Sequence, residues 1–138
     1  MSKSDPSEQS RINLTDDADT IAQKIKRAKT DPELLPDNPA GLEGRPEAAN
    51  LVGIYAALSD QTATQVLAEF AGKGFGQFKP VLSELAVSVL SPISEKMRRL
   101  LNDPAELDRI IGGSAKRAQT VAAPILQKTK EIVGFLQV

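Results

Sequence analysis

Three groups of residues in this chain are of the right type and spacing to do chemistry. The first is Lys3, set between Ser2 and Ser4 in the opening "MSKSDPSEQS". A lysine on a polar segment with hydroxyls beside it can bring mobile positive charge to phosphate oxygens, as a phosphoryl-transfer transition state requires. So short a motif recurs by chance, and the same letters describe a solvated terminal segment equally well. The second is "GKGFG", Gly72 to Gly76, which has the glycines of a phosphate loop but not the Walker spacing. It reads as a helix–helix turn with a glycine after the helix end. The third is a basic set, Arg98, Arg99, Arg109, Lys116 and Arg117, which could face the phosphates of a nucleic acid. Its plain alternative is a set of solvated helix faces interspersed with acids.

Other side chains invite chemistry less. Glu8, Asp16, Asp17 and Asp19 could be paired carboxylates, but a helix start explains the aspartates better. Arg45, Glu47 and Asn50 surround a second helix start and read as capping or interhelix hydrogen-bonding groups. Phe70, Phe75 and Phe78 read as packing at a helix junction rather than as a stacking platform for bases.

Composition removes whole classes of mechanism. The 138 residues contain no Cys and no His. Disulfides, thiolate metal sites and a Ser-His-Asp triad are therefore excluded, and no metal site is expected. No apolar run is long enough to span a bilayer, and the polar start shows no signal-peptide core. The expectation is a cytoplasmic protein without membrane contact. Formal net charge is -1, but residues 91–138 carry eight basic and five acidic side chains, a local net of +3. A basic last third can serve an anionic partner.

The elements that would position these groups are helical. Aromatics make up only 4% of the chain and Trp is absent, so Leu, Ile, Val and Ala must fill the core. Residues 1–14 read as a polar loop and residues 15–138 as a helical domain, giving an all-α bundle of about five helices. The first helix follows "NLTDDADT", with Thr15 as N-cap and Asp16 and Asp17 on the first turn. Its apolar stripe is Ile21, Ile25 and Ala28, and Lys24, Lys26, Arg27 and Lys29 suit the dipole at its end. "TDPELLPDNPAGLEG" cannot continue a helix. It reads as an ordered connector, because Leu34, Leu35 and Leu42 give it apolar side chains to bury. A second helix starts near Pro46 with Ala48, Leu51, Val52, Tyr55 and Leu58 inward. A third is capped within Asp60–Thr62 and stopped by Gly72 and Gly74. A fourth runs from Gln77 to about Leu101, with Pro80 near its start and a kink expected at Pro92. The last opens on the cap Asp103, with Pro104 and Glu106 behind it, and Gly112, Gly113 and Pro124 are points at which it could bend.

Taken together, these residues resemble a known family. "MSKS" matches the last four letters of the KMSKS signature of class I aminoacyl-tRNA synthetases. "MSKSDPSEQSRINLTDDADTIAQKIKRAKTD", "GLEGRPEAANLVGIYAAL" and "GKGFGQFKPVLSELAV" resemble, in order, the C-terminal part of bacterial tryptophanyl-tRNA synthetases. The resemblance implies ATP-dependent tryptophan activation, with Mg2+, followed by transfer to tRNA(Trp). It gives Lys3 the role of stabilising charge on the departing pyrophosphate, with Ser2 and Ser4 lining the same ATP-phosphate loop. It makes the helical region a domain that contacts the tRNA anticodon, for which Arg98, Arg99, Arg109, Lys116 and Arg117 are the candidates. It also implies a homodimer in the full-length family.

The departures from the family pattern set further expectations. The signature's first lysine would precede Met1, and the Rossmann domain, a HIGH-like motif and the tryptophan pocket have no counterpart in these residues. The reading is a C-terminal fragment of a tryptophan–tRNA ligase that does not hold ATP tightly and is inactive alone. The alternative is a free-standing helical module that binds tRNA or complements a separate catalytic half. Domain truncation also implies that helix faces meant for the missing domain are exposed, and Ile12, Leu14 and Leu34 are the apolar residues expected to lack cover.

Overall fold

The computed structural model describes residues 7–134. Five α-helices follow one another: α1 (Ala18–Arg27), α2 (Pro46–Ser59), α3 (Ala63–Phe70), α4 (Phe75–Leu101) and α5 (Pro104–Val133). No strand occurs among the described residues, so the expected all-α class holds. Short 3-10 turns lie at Glu8–Ser10 in the lead-in and Pro39–Leu42 in the connector. The chain divides into two compact units, Met1–Met97 and Arg98–Val138.

In the first unit, α1 starts later than its sequence suggests. Its N-cap is Asp17, not Thr15: the Asp17 carboxylate accepts the Thr20 N–H at 2.8 Å. Residues 13–16 are committed to a turn of their own, in which the Asp16 N–H donates to the Asn13 carbonyl at 3.0 Å. Asp16 therefore lies ahead of the helix instead of on its first turn. Ile21 and Ile25 are fully buried, as the stripe predicts.

The connector is ordered because its backbone is paired. The Leu35 N–H donates to the Lys73 carbonyl at 3.0 Å, and the Gly72 N–H donates back to the Leu35 carbonyl at 2.9 Å. Leu35 is buried and Leu42 packs at the core edge, whereas Leu34 is 59% exposed. Gly72 has φ +71°, a left-handed conformation that only glycine adopts without strain. The "GKGFG" stretch is thus the turn between α3 and α4.

α2 opens on Pro46 and buries Ala48, Leu51, Val52 and Tyr55; Leu58 is half-buried. α3 carries a full capping box between Thr62 and Gln65. α4 begins at Phe75, two residues before the expected Gln77, because the Gly74 carbonyl accepts the N–H groups of Gln77 and Phe78. It continues through Pro92. The centre of the unit is aromatic. The Phe78 ring lies 4.9 Å from Phe70 and 5.6 Å from Tyr55, and Phe70 meets Tyr55 edge-on at 5.2 Å. Burying each such side chain contributes about 1.5–3 kcal/mol. Of the apolar residues expected to lack cover, Ile12 packs against this core, while Leu14 is half-exposed like Leu34.

In the second unit, Asp103 caps α5 through the Glu106 N–H at 3.0 Å, with Pro104 in the first turn. The helix passes through Gly112, Gly113 and Pro124 and ends at Gly134, φ +75°. No residue of α5 is buried. Val121, Ile125 and Ile132 are exposed and recur at helical spacing on its surface.

Candidate functional site

Ser2, Lys3 and Ser4 lie outside the described residues; the segment that follows them does not. Ser7 opens the 3-10 turn, accepting the Gln9 N–H on its hydroxyl at 3.3 Å and the Ser10 N–H on its carbonyl at 3.1 Å. The chain then reaches Asp16, whose Oδ2 accepts two hydrogen bonds. One comes from the Asn13 N–H at 2.8 Å and the other from the Lys24 ammonium at 2.6 Å. The Lys24 side chain is 4% exposed and that of Asp16 10%. Sequence reasoning placed Lys24 among the dipole-complementing cations of the last turn. The missed signal is its register: Lys24 follows Ile21 by three and precedes Ile25, so it belongs to the buried face.

A second lysine has contacts that no local pattern in the sequence reveals. Lys79 on α4 donates to the Ala28 carbonyl at 2.7 Å and approaches the Lys26 carbonyl at 3.4 Å. It satisfies carbonyls that the end of α1 leaves without intrahelical partners. Burial lowers the pKa of its ammonium below the ordinary lysine value. Between α1 and α4 runs a cleft of about 610 Å³, lined among others by Ala22, Lys26, Phe75, Gly76, Lys79 and Pro80. Pro80 has no N–H to offer the Gly76 carbonyl.

Arg45 holds the connector. Its guanidinium grips Asp31 and donates to the Leu34 carbonyl at 2.9 Å and the Glu33 carbonyl at 3.3 Å. Asp31 is held below the usual carboxylate range by the Arg45 hydrogen bonds, and Arg45 is raised by the same contact. Glu47 pairs with Lys29 at 3.0 Å, and its pKa is lowered by that lysine.

The five basic candidates all fall in the second unit. Arg98 and Arg99 occupy the last turn of α4, and Arg109, Lys116 and Arg117 stand on α5, all exposed. Arg109 and Lys116 are seven residues apart, two turns, and share a face. The Glu106 carboxylate draws on two of the set: Arg99 at 3.2 Å and Arg109 at 3.9 Å. Arg117 donates to the Ser114 hydroxyl at 3.1 Å. Among the described residues no group of three or more carboxylates gathers as a metal site, and no helix is long and apolar enough to cross a membrane.

A helical chain with a polar lead-in tied to its first helix and a basic last third has counterparts among the class I synthetases. Residues 1–91 match the family described as tRNA synthetases class I (W and Y), and the chain belongs to that family. Within it, the chain is 58% identical over 137 residues to the tryptophan–tRNA ligase of Agrobacterium fabrum. It is 59% identical over 135 residues to that of Caulobacter vibrioides and 48% identical over 139 residues to that of Synechocystis. These alignments take in 98–99% of this chain and 39–40% of the relatives, so the chain spans about two-fifths of their length.

Proposed function

We propose that this chain serves as the helical C-terminal part of a tryptophan–tRNA ligase. The observation that carries the reading is an identity of 58% sustained over 99% of the chain to proteins of that name. In the reaction, tryptophan attacks the α-phosphate of ATP and pyrophosphate leaves. The tryptophanyl group then passes from the adenylate to the terminal ribose of tRNA(Trp).

Residues 1–14 take the part of the signature loop in this reading and residues 15–138 that of the anticodon-contacting domain. Lys3 stabilises the charge that builds on the departing pyrophosphate, with Ser2 and Ser4 beside it, and Mg2+ accompanies ATP as part of the substrate. Arg98, Arg99, Arg109, Lys116 and Arg117 offer charge to the tRNA. A Rossmann half supplies adenine, ribose and indole contacts, the ligase works as a homodimer, and the setting is the cytoplasm.

One lysine and two hydroxyls cannot align two reactants, and alignment supplies much of the rate. The 138-residue polypeptide alone is therefore inactive in tryptophan-dependent ATP–pyrophosphate exchange. The test compares it with a fusion to the unmatched remainder of the Agrobacterium fabrum ligase. Activity in the fusion and none in the polypeptide is the expected result. An inactive fusion, if folded, would count against the reading.

A further inference from the structure

We propose that the buried Asp16–Lys24 pair is a positioning device that clamps the lead-in, residues 7–16, onto α1, and that turnover depends on this clamp. The structural half of this inference is independent of the ligase reading; the part concerning turnover rests on it.

The starting point is a lysine where an apolar residue would serve the fold better. Ile21 and Ile25 fill the buried face of α1, and Lys24 shares that face with its ammonium also out of solvent. Buried ion pairs seldom stabilise more than apolar residues of the same volume, because both charges lose their hydration. Packing therefore does not account for the pair, but its geometry does.

A single carboxylate oxygen, Asp16 Oδ2, accepts from the Lys24 ammonium on α1 and from the Asn13 backbone N–H in the lead-in. The Asp16 N–H closes the same turn on the Asn13 carbonyl. Upstream, Ile12 packs against the core, and the Ser10 N–H closes a turn on the Ser7 carbonyl. A leucine and methionine pair could fill this space, but neither would accept the Asn13 N–H. The charge pair makes the connection between helix and lead-in specific. Lys24 and Asp16 are positioning residues in this scheme, since neither is placed against substrate.

The pair predicts a local effect that general destabilisation would not give. Two variants of the 138-residue chain, Lys24→Met and the double variant Asp16→Leu/Lys24→Met, are compared with wild type by amide hydrogen–deuterium exchange. In both, amides of residues 7–16 exchange faster by on the order of tenfold or more, while those of α2 and α3 keep their protection. The double variant restores apolar packing and stays folded if the single one does not. Unchanged protection of residues 7–16 in a folded variant overturns the proposal. Loss of protection throughout the chain in both variants overturns it too, since the pair would then be a determinant of the whole fold.

The second measurement uses the fusion with the unmatched remainder of the Agrobacterium fabrum ligase. The double variant lowers kcat for ATP–pyrophosphate exchange by about tenfold to a hundredfold, with KM for tryptophan within about twofold of wild type. Equal kcat in variant and wild-type fusions, with lead-in protection lost, removes the functional half. An inactive wild-type fusion would strike the ligase reading instead and leave the amide-exchange result standing.

Discussion

Arg45 holds Asp31 through two charge-assisted hydrogen bonds, Nε to Oδ2 at 3.1 Å and Nη2 to Oδ1 at 2.6 Å. The same guanidinium reaches two backbone carbonyls of the connector, so one side chain at the start of α2 fixes the course of residues 31–34. Arg45→Met strands the Asp31 carboxylate and both carbonyls at once. The expected cost is about 1–3 kcal/mol, read as a lower urea midpoint. Arg45→Lys recovers only part of it, because an ammonium cannot reproduce the two parallel bonds of the fork. Full recovery by lysine would show that charge alone matters here.

The same pair predicts how stability responds to acid. The Asp31 hydrogen bonds with Arg45 lower its folded-state pKa below that of the unfolded chain. The folded state therefore favours the ionised carboxylate. The resulting stability is fully present above the unfolded value of about 3.9 and is lost as pH falls through the lowered folded value. Thermal melts of wild type and Asp31→Asn should accordingly differ most at neutral pH and converge as pH falls through the lowered folded value. A constant difference across that range would contradict the assignment.

Phe78 is fully buried and contacts three other rings, at 4.9 Å (Phe70), 5.6 Å (Tyr55) and 6.4 Å (Phe75). Phe78→Ala opens a cavity that three rigid neighbours cannot easily fill. The expected loss is about 3–5 kcal/mol, a large share of the roughly 5–15 kcal/mol that stabilises a typical domain. Phe78→Leu keeps most of the volume and should be much milder. Calorimetry separates the two, and a Phe78→Ala loss below that of Phe78→Leu would show that the ring cluster is not the centre of the core.

These sites differ in how much of them the sequence reveals. The helices were legible because their apolar stripes and their Pro and Asp starts are local signals: Pro46, Asp103 and the Thr62–Gln65 box all sit where short-range rules put them. The Asp16–Lys24 pair was not legible, because each residue has a good local explanation that the tertiary contact overrides. Asp16 passes for a first-turn acid and Lys24 for a last-turn cation, and only burial shows that they belong to each other. Lys79 is hidden for a similar reason, since its partners are carbonyls some fifty positions away in sequence. Composition marked the basic residues of α4 and α5, but it could not show that Glu106 already draws on two of them.

That sharing yields a test of the basic set in which one substitution should strengthen binding. Arg99 and Arg109 both point at the Glu106 carboxylate, so their charge is partly neutralised before any polyanion arrives. Lys116, two turns beyond Arg109 on the same face, has no acidic partner among the described residues. If this face meets tRNA, Lys116→Gln weakens binding and makes the slope of log K against log salt shallower by about 0.7–0.9, the loss of one phosphate contact. Arg99→Gln does less. Glu106→Gln releases two guanidiniums and tightens tRNA binding a few-fold at low salt. It should do so without unfolding α5, because the contact with the Asp103 cap is made by the Glu106 backbone N–H and not by its carboxylate. Filter-binding titrations of the 138-residue chain at several salt concentrations measure all three. Binding unchanged by Glu106→Gln and Lys116→Gln alike would remove this face from the RNA interface and turn attention to the lysines that line the cleft between α1 and α4.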